Sequence, residues 1–121
     1  MQVLFEGKVT KIGGMVPDFI QAATLIIFNN DVPEELHDMA VLHTKSATTE
    51  TVQTGDVLLI DGQSFQVTSV GDKANETLKD IGHCTIKFDG STSPELPGII
   101  HVEQKEIPQI QLDTVLKFIR E

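Results

Sequence analysis

At 121 residues the chain suffices for one hydrophobic core and is too short for two ordinary ones, so a single domain over residues 1–121 is expected. Apolar residues at 40% and charged residues at 22% exclude a disordered chain, while 18 acidic against 9 basic side chains, a formal charge of -9, argue against a phosphate-backbone partner such as nucleic acid. The one cysteine, Cys84, has no intrachain partner; with no basic prefix and no apolar run near the ~20 residues of a membrane span, the expectation is a protein of the reducing cytoplasm.

Val, Ile and Thr dominate, and branching at Cβ suits them to sheet. The first expected strand runs from Val3 to Ile12 and ends at Gly13-Gly14, with a bulge or a close strand crossing at Gly7. Leu25 to Phe28 reads as a buried strand closed by Asn29-Asn30-Asp31. The segment P-E-E-L-H-D (33–38) is either a helical turn capped by Asp31 or an acidic solvated loop. Met39 to His43 forms the next strand and opens into the polar stretch T-K-S-A-T-T-E.

Residues 56–71 carry the clearest local signal, because Asp61-Gly62 sits between two apolar, branched runs, the pattern of a tight hairpin. D-K-A-N-E-T-L-K-D-I-G (72–82) predicts a short helix with Asp72 as cap, Leu78 and Ile81 on one face, and Gly82 as the stop. In H-C-T-I-K-F (83–88), alternation turns Cys84, Ile86 and Phe88 to the core and His83, Thr85 and Lys87 outward. I-I-H-V-E (99–103) alternates likewise, with His101 on the polar side, and 113–119 reads as a closing strand. So many short strands in so small a chain predict an all-β fold, a small closed or nearly closed β-barrel with one or two short helices.

Four histidines carry the available chemistry. His37, His43, His83 and His101 are too far apart for a local metal motif, so no metal and no cofactor are expected, although a three-histidine site assembled by folding, as in a small metal hydrolase, stays an alternative. His43 stands where a strand gives way to a loop, and a neutral imidazole can hold a proton on one nitrogen while the other attacks an electrophile. His83 or His101 is a candidate supporting group beside it. Thr44, Lys45 and Ser46 are weak candidates for binding a phosphoryl group, since a Ser/Thr-rich segment is also a common solvated connector. Cys84 on an apolar face reads as an inert thiol.

The sequence P-E-E-L-H-D-M-A-V-L-H, followed by G-D-V-L-L-I-D-G-Q-S-F-Q-V-T-S-V-G, N-E-T-L-K-D-I-G-H-C-T-I-K-F-D-G and E-L-P-G-I-I-H-V, resembles the glucitol/sorbitol-specific enzyme IIA component of the bacterial phosphotransferase system. The resemblance implies a cytoplasmic phosphocarrier with a closed β-barrel. Such a carrier takes phosphate from the phosphohistidine of HPr and passes it to enzyme IIB, through which it meets the membrane sugar transporter. The family's phosphorylated histidine falls on His43. The continuation after His43 departs from the H-C-H-G pattern of some members. On this reading His43 is accessible; Met39 and Val41 share its strand parity and are either rim residues or core residues. The rival from another class is a non-catalytic β-domain that binds another protein.

Overall fold

The computed structural model describes residues 1–45 and 50–121. Its strands are β1 (Gln2–Ile12), β2 (Thr24–Asn29), β3 (Val41–His43), β4 (Val57–Ile60), β5 (Gln63–Val70), β6 (Cys84–Lys87), β7 (Ile99–Val102) and β8 (Val115–Arg120). Two helices, α1 (Val16–Gln21) and α2 (Ala74–Ile81), and a 3-10 helix (Glu34–Met39) complete the described elements. The strands close into a barrel in the order β1-β3-β2-β6-β7-β5-β4-β8. Closure pairs each of the eight described strands on both sides, so none of them is an edge strand.

Alternation on β1 turns Phe5, Gly7 and Val9 inward and leaves Glu6, Lys8 and Thr10 exposed. Phe5, Phe65, Phe88 and Phe118 fill the interior with edge-to-face contacts, Phe5 to Phe118 at 6.1 Å and Phe65 to Phe88 at 5.1 Å between ring centroids. Each fully buried ring contributes about 1.5–3 kcal/mol. A smaller cluster of Phe28, Ala40 and Leu42 lies on the other face of β2 and β3, against Ile26, Val32, Leu36 and Met39. The 3-10 helix thus covers that face, which is why all three residues of β3 are buried.

The expected hairpin forms: β4 and β5 pair antiparallel across Asp61 and Gly62, both at positive φ (48° and 85°). Cys84, Ile86 and Phe88 face the core as alternation requires. Gly82 ends α2 in the left-handed conformation, φ 63°.

Other expectations change. The 3-10 helix follows Pro33 without a side-chain cap, and α2 follows Lys73 likewise, so neither Asp31 nor Asp72 caps a helix. Leu78 is buried but Ile81 is 40% exposed, because a helix of eight residues lays only a narrow stripe on the barrel. Irregular pairing in β1 falls between Val3 and Phe5 and between Val9 and Lys11, not at Gly7. The third strand begins at Val41, Met39 belonging to the 3-10 helix, and the last begins at Val115. Helix α1, with Pro17 in its first turn, was not apparent from the sequence: its six residues are too few to establish a helical period.

Candidate functional site

The site is built from β2, β3 and the turn between α2 and β6. β2 and β3 run parallel with Asn29 opposite His43, and β1 places Val9 opposite His43 on the other side. On β2 the inward positions are Leu25, Ile27 and then Asn29, so a polar side chain ends an otherwise apolar row. His43 ends β3 on the same interior side. Its ring meets Phe5 edge-on at 5.2 Å and is packed against Gly7, where a Cβ would lie 2.7 Å from Nδ1. Any side chain on Gly7 would displace the imidazole.

His43 is fully buried, against the expectation of an accessible ring. Its Nδ1 lies 2.8 Å from the carbonyl oxygen of Thr44 and its Nε2 2.9 Å from that of Gly82. A carbonyl only accepts, so a neutral ring can donate to one of them and must turn a lone pair toward the other. Met39 and Val41 form no apolar rim: Val41 is fully buried in the core, and Met39 ends the 3-10 helix and packs against the separate cluster of Phe28, Ala40 and Leu42. Parity put Val41 and His43 on one face correctly and failed for Met39, which precedes β3 and lies against the opposite face. The face shared by Val41 and His43 is the barrel interior, not a surface.

The Gly82 turn is the cover. The Gly82 amide donates to Leu78 O at 3.1 Å, the His83 amide to Thr77 O at 3.1 Å, and the Thr77 hydroxyl to His83 O at 2.7 Å. A Cβ on Gly82 would stand 2.1 Å from Asn29 Oδ1 and 2.7 Å from His43 Cε1, so only glycine closes here. Asn29 is 3% exposed, and its Oδ1 is a buried side-chain atom with no hydrogen-bond partner among the described residues. Leaving such an acceptor unmet costs about 1–3 kcal/mol.

His83 is the histidine that folding brings to this end of the barrel. Its half-buried ring stacks on Phe28 at 4.0 Å with an 11° interplanar angle, and Nδ1 lies 3.0 Å from Ile27 O. The carbonyl fixes the proton on Nδ1 and leaves Nε2 as the lone-pair nitrogen. Burial lowers the His83 pKa below the ordinary imidazole value, and the bond to Ile27 O offsets only part of that.

His101 lies elsewhere. It pairs with Lys87 at the far end of β6, about three residue rises, or ~10 Å, along the strand from Cys84. It is fully buried, although alternation placed it on a polar face, because the segment 89–97 folds over that face. His101 Nδ1 donates to Asp89 Oδ1 at 2.8 Å, and Nε2 accepts from the Glu95 amide at 3.3 Å. Burial would raise the Asp89 pKa, but the His101 and Ser91 hydrogen bonds hold it below the usual carboxylate range. Both ring nitrogens are occupied by this strap.

His37, on the 3-10 helix, bonds through Nε2 to Val32 O at 3.0 Å and through Nδ1 to Lys11 Nζ at 3.1 Å. Among the described residues no group of three histidine, cysteine or acidic side chains is arranged to hold a metal ion.

Of the weak phosphate candidates, Thr44 is exposed and its hydroxyl accepts from the Lys8 amide at 3.1 Å. Lys45 makes an exposed 3.6 Å ion pair with Asp31. Ser46 lies outside the described residues. Asn29 and Thr77 carried no sequence signal. Asn29 read as the first residue of the turn that closes a strand, and Thr77 as one polar residue of a helix.

Among known proteins, the family model described as the PTS system glucitol/sorbitol-specific IIA component matches residues 4–117. Curated relatives described as PTS system glucitol/sorbitol-specific EIIA components, from Shigella flexneri and Escherichia coli (strain K12), are each 30% identical over 118 residues, covering 98% of this chain and 96% of theirs. A crystal structure described as the PTS system IIA component from Enterococcus faecalis V583 superposes with a TM-score of 0.82 at 23% identity, covering 95% of this chain and 99% of that one, a likeness of fold. The match over nearly the whole barrel means that the chain belongs to the family of glucitol/sorbitol-specific IIA components of the phosphotransferase system and is a phosphocarrier.

Proposed function

We propose that residues 1–121 act as one cytoplasmic IIA domain in which His43 accepts a phosphoryl group from phospho-HPr and passes it to enzyme IIB of a glucitol/sorbitol uptake system. Among the described residues no helix is long and apolar enough to cross a membrane. The observation that carries the reading is the setting of His43. Its ring nitrogens are held by two backbone carbonyls, Thr44 O and Gly82 O, both in chain segments that leave regular structure. Withdrawing the Gly82 turn uncovers Nε2 while the Thr44 carbonyl keeps the proton on Nδ1. The ring is then a neutral nucleophile of defined tautomer.

The transfer balances without a metal or an external base. The Nε2 lone pair of His43 forms the new P–N bond as the donor's P–N bond breaks, and the electron pair returns to the donor imidazole. A donor ring protonated on its other nitrogen leaves as neutral imidazole, while His43 takes up the positive charge it sheds. In onward transfer a nucleophile of IIB forms a bond to phosphorus as the His43 P–N bond breaks, and the electron pair returns to Nε2, leaving His43 a neutral imidazole. Positioning does most of the work, since the phosphoryl group is already activated. The acidic surface suits a partner with a basic docking face.

One observation favours a second reading, in which His83 is the acceptor. Its Nδ1 is tied to Ile27 O, its pKa is lowered, and Nε2 has no hydrogen-bond partner among the described residues. Incubation with phosphorylated HPr, followed by mapping of the acid-labile, base-stable label, decides between them. His43→Ala should abolish acceptance and His83→Ala should slow it. Label recovered on His83 with His43→Ala still reactive would reverse the assignment, and label on neither histidine would overturn both.

A further inference from the structure

We propose that the side-chain carboxamide of Asn29 is the hydrogen-bond donor that meets the phosphoryl group on Nε2 of His43 once the Gly82 turn withdraws; this rests on the His43 reading above. Leu25 and Ile27, the inward neighbours on β2, fill the interior with hydrocarbon, and another branched apolar residue would continue the row. Instead the row ends in an amide, 3% exposed, whose Oδ1 meets no donor among the described residues. A buried amide oxygen left unmet in the closed fold calls for a partner in another state.

Geometry identifies that partner. Asn29 and His43 are paired across neighbouring parallel strands, on one face. Gly82 touches both: its carbonyl oxygen lies 2.9 Å from His43 Nε2, and its missing Cβ would stand 2.1 Å from Asn29 Oδ1 and 2.7 Å from His43 Cε1. The carbonyl thus occupies the space that phosphorus bonded to Nε2 would need. When the turn retracts, the vacated wedge has the imidazole on one side and the carboxamide on the other. Rotation of the amide plane by 180° exchanges Oδ1 for the two N–H donors of Nδ2 with little change in shape. An acceptor without a donor becomes a donor facing an anion, and a neutral donor of this kind stabilises charge on the phosphoryl oxygens without a buried cation.

The test uses the full chain and phosphorylated HPr as the probe. Asn29→Ala should lower the rate of label transfer to His43 by about 10- to 100-fold, the equivalent of one charge-assisted hydrogen bond. Asn29→Asp should be slower still, because a carboxylate repels the incoming group. Asn30→Ala, at the exposed neighbouring position, should match the wild type. Because the variants can alter folding, the side-chain amide of Asn29 is also followed by proton–nitrogen NMR in the wild type; its resonances should move downfield on phosphorylation. Wild-type transfer rates in Asn29→Ala with the label on His43, or Asn29 resonances that stay in place, would overturn the role of Asn29 alone. A wild-type label on any residue other than His43 would instead overturn the site assignment and this inference with it.

Discussion

Gly82 closes over His43 from two directions at once: its carbonyl oxygen lies 2.9 Å from Nε2, and its Cα stands so near Cε1 that a Cβ would fall 2.7 Å away. Its backbone is left-handed, φ 63°, a conformation that costs most other residues about 1–2 kcal/mol. The residue that stops the helix is therefore also the cover of the ring.

Gly82→Ala should destabilise the fold by about 2 kcal/mol or more, combining the backbone strain with the contact against Asn29 and His43. Urea unfolding measures this as a lower midpoint with an unchanged slope. An unshifted midpoint would mean that the turn rests away from the ring.

The Thr77 hydroxyl, donating to His83 O at 2.7 Å, is the side-chain tie between α2 and the turn. Thr77→Val keeps the shape and removes the donor, at a cost of about 1 kcal/mol. Amide hydrogen exchange should quicken at Gly82 and His83 while the Val67 amide in the barrel wall keeps its protection. Equal exchange in both proteins would remove Thr77 from the account.

Asp56 and Arg120 fasten the segment before β4 to the last strand. Arg120 donates to Asp56 through Nε at 2.9 Å and a terminal nitrogen at 3.0 Å, and to Glu50 and Thr51 O. Burial alone would raise the Asp56 pKa, but the Arg120 bond and the Gln53 amide outweigh it and hold the carboxyl below its ordinary value. A carboxyl with a lowered folded pKa stabilises fully above its unfolded value, near 3.8, and that contribution fades as pH falls through the folded one. Asp56→Asn should cost about 1–3 kcal/mol at pH 7 and flatten the acid limb of a stability–pH curve measured by denaturant titration.

The sign is the same for His83, for the opposite chemical reason. Burial disfavours its cation, so the folded pKa lies below the ordinary imidazole value of 6.5. Its neutral form stabilises fully above that value, and the contribution is lost as pH falls toward the folded pKa. Titration of the ring Cε1 proton by NMR should give a midpoint under 6.5. A higher midpoint would mean that the ring is solvated or paired with an acid.

The Cys84 thiol, fully buried and with its pKa pushed far up by desolvation, should resist alkylation at pH 7 in the folded chain and react promptly in urea. Rapid labelling of the native protein, followed by mass spectrometry, would show that β6 opens.

What the sequence determined by itself was local. Alternation over residues 83–88 set which side chains of β6 face inward, Asp61-Gly62 set the hairpin, and Gly82 set the end of α2, because each rests on neighbours a few residues apart. The motifs around G-H-C-T-I-K-F-D-G carried the family. Tertiary structure decided the rest. That His83, not His101, sits at the His43 end follows from β2 lying between β3 and β6, and the parity that put His43 on one face could not say that this face is the interior. Gly7, Asn29 and Gly82 close on His43 from 36, 14 and 39 residues away along the chain. Such contacts exist only after the barrel has closed, since strand pairing sums small interactions over the whole sheet and leaves no trace in any one segment.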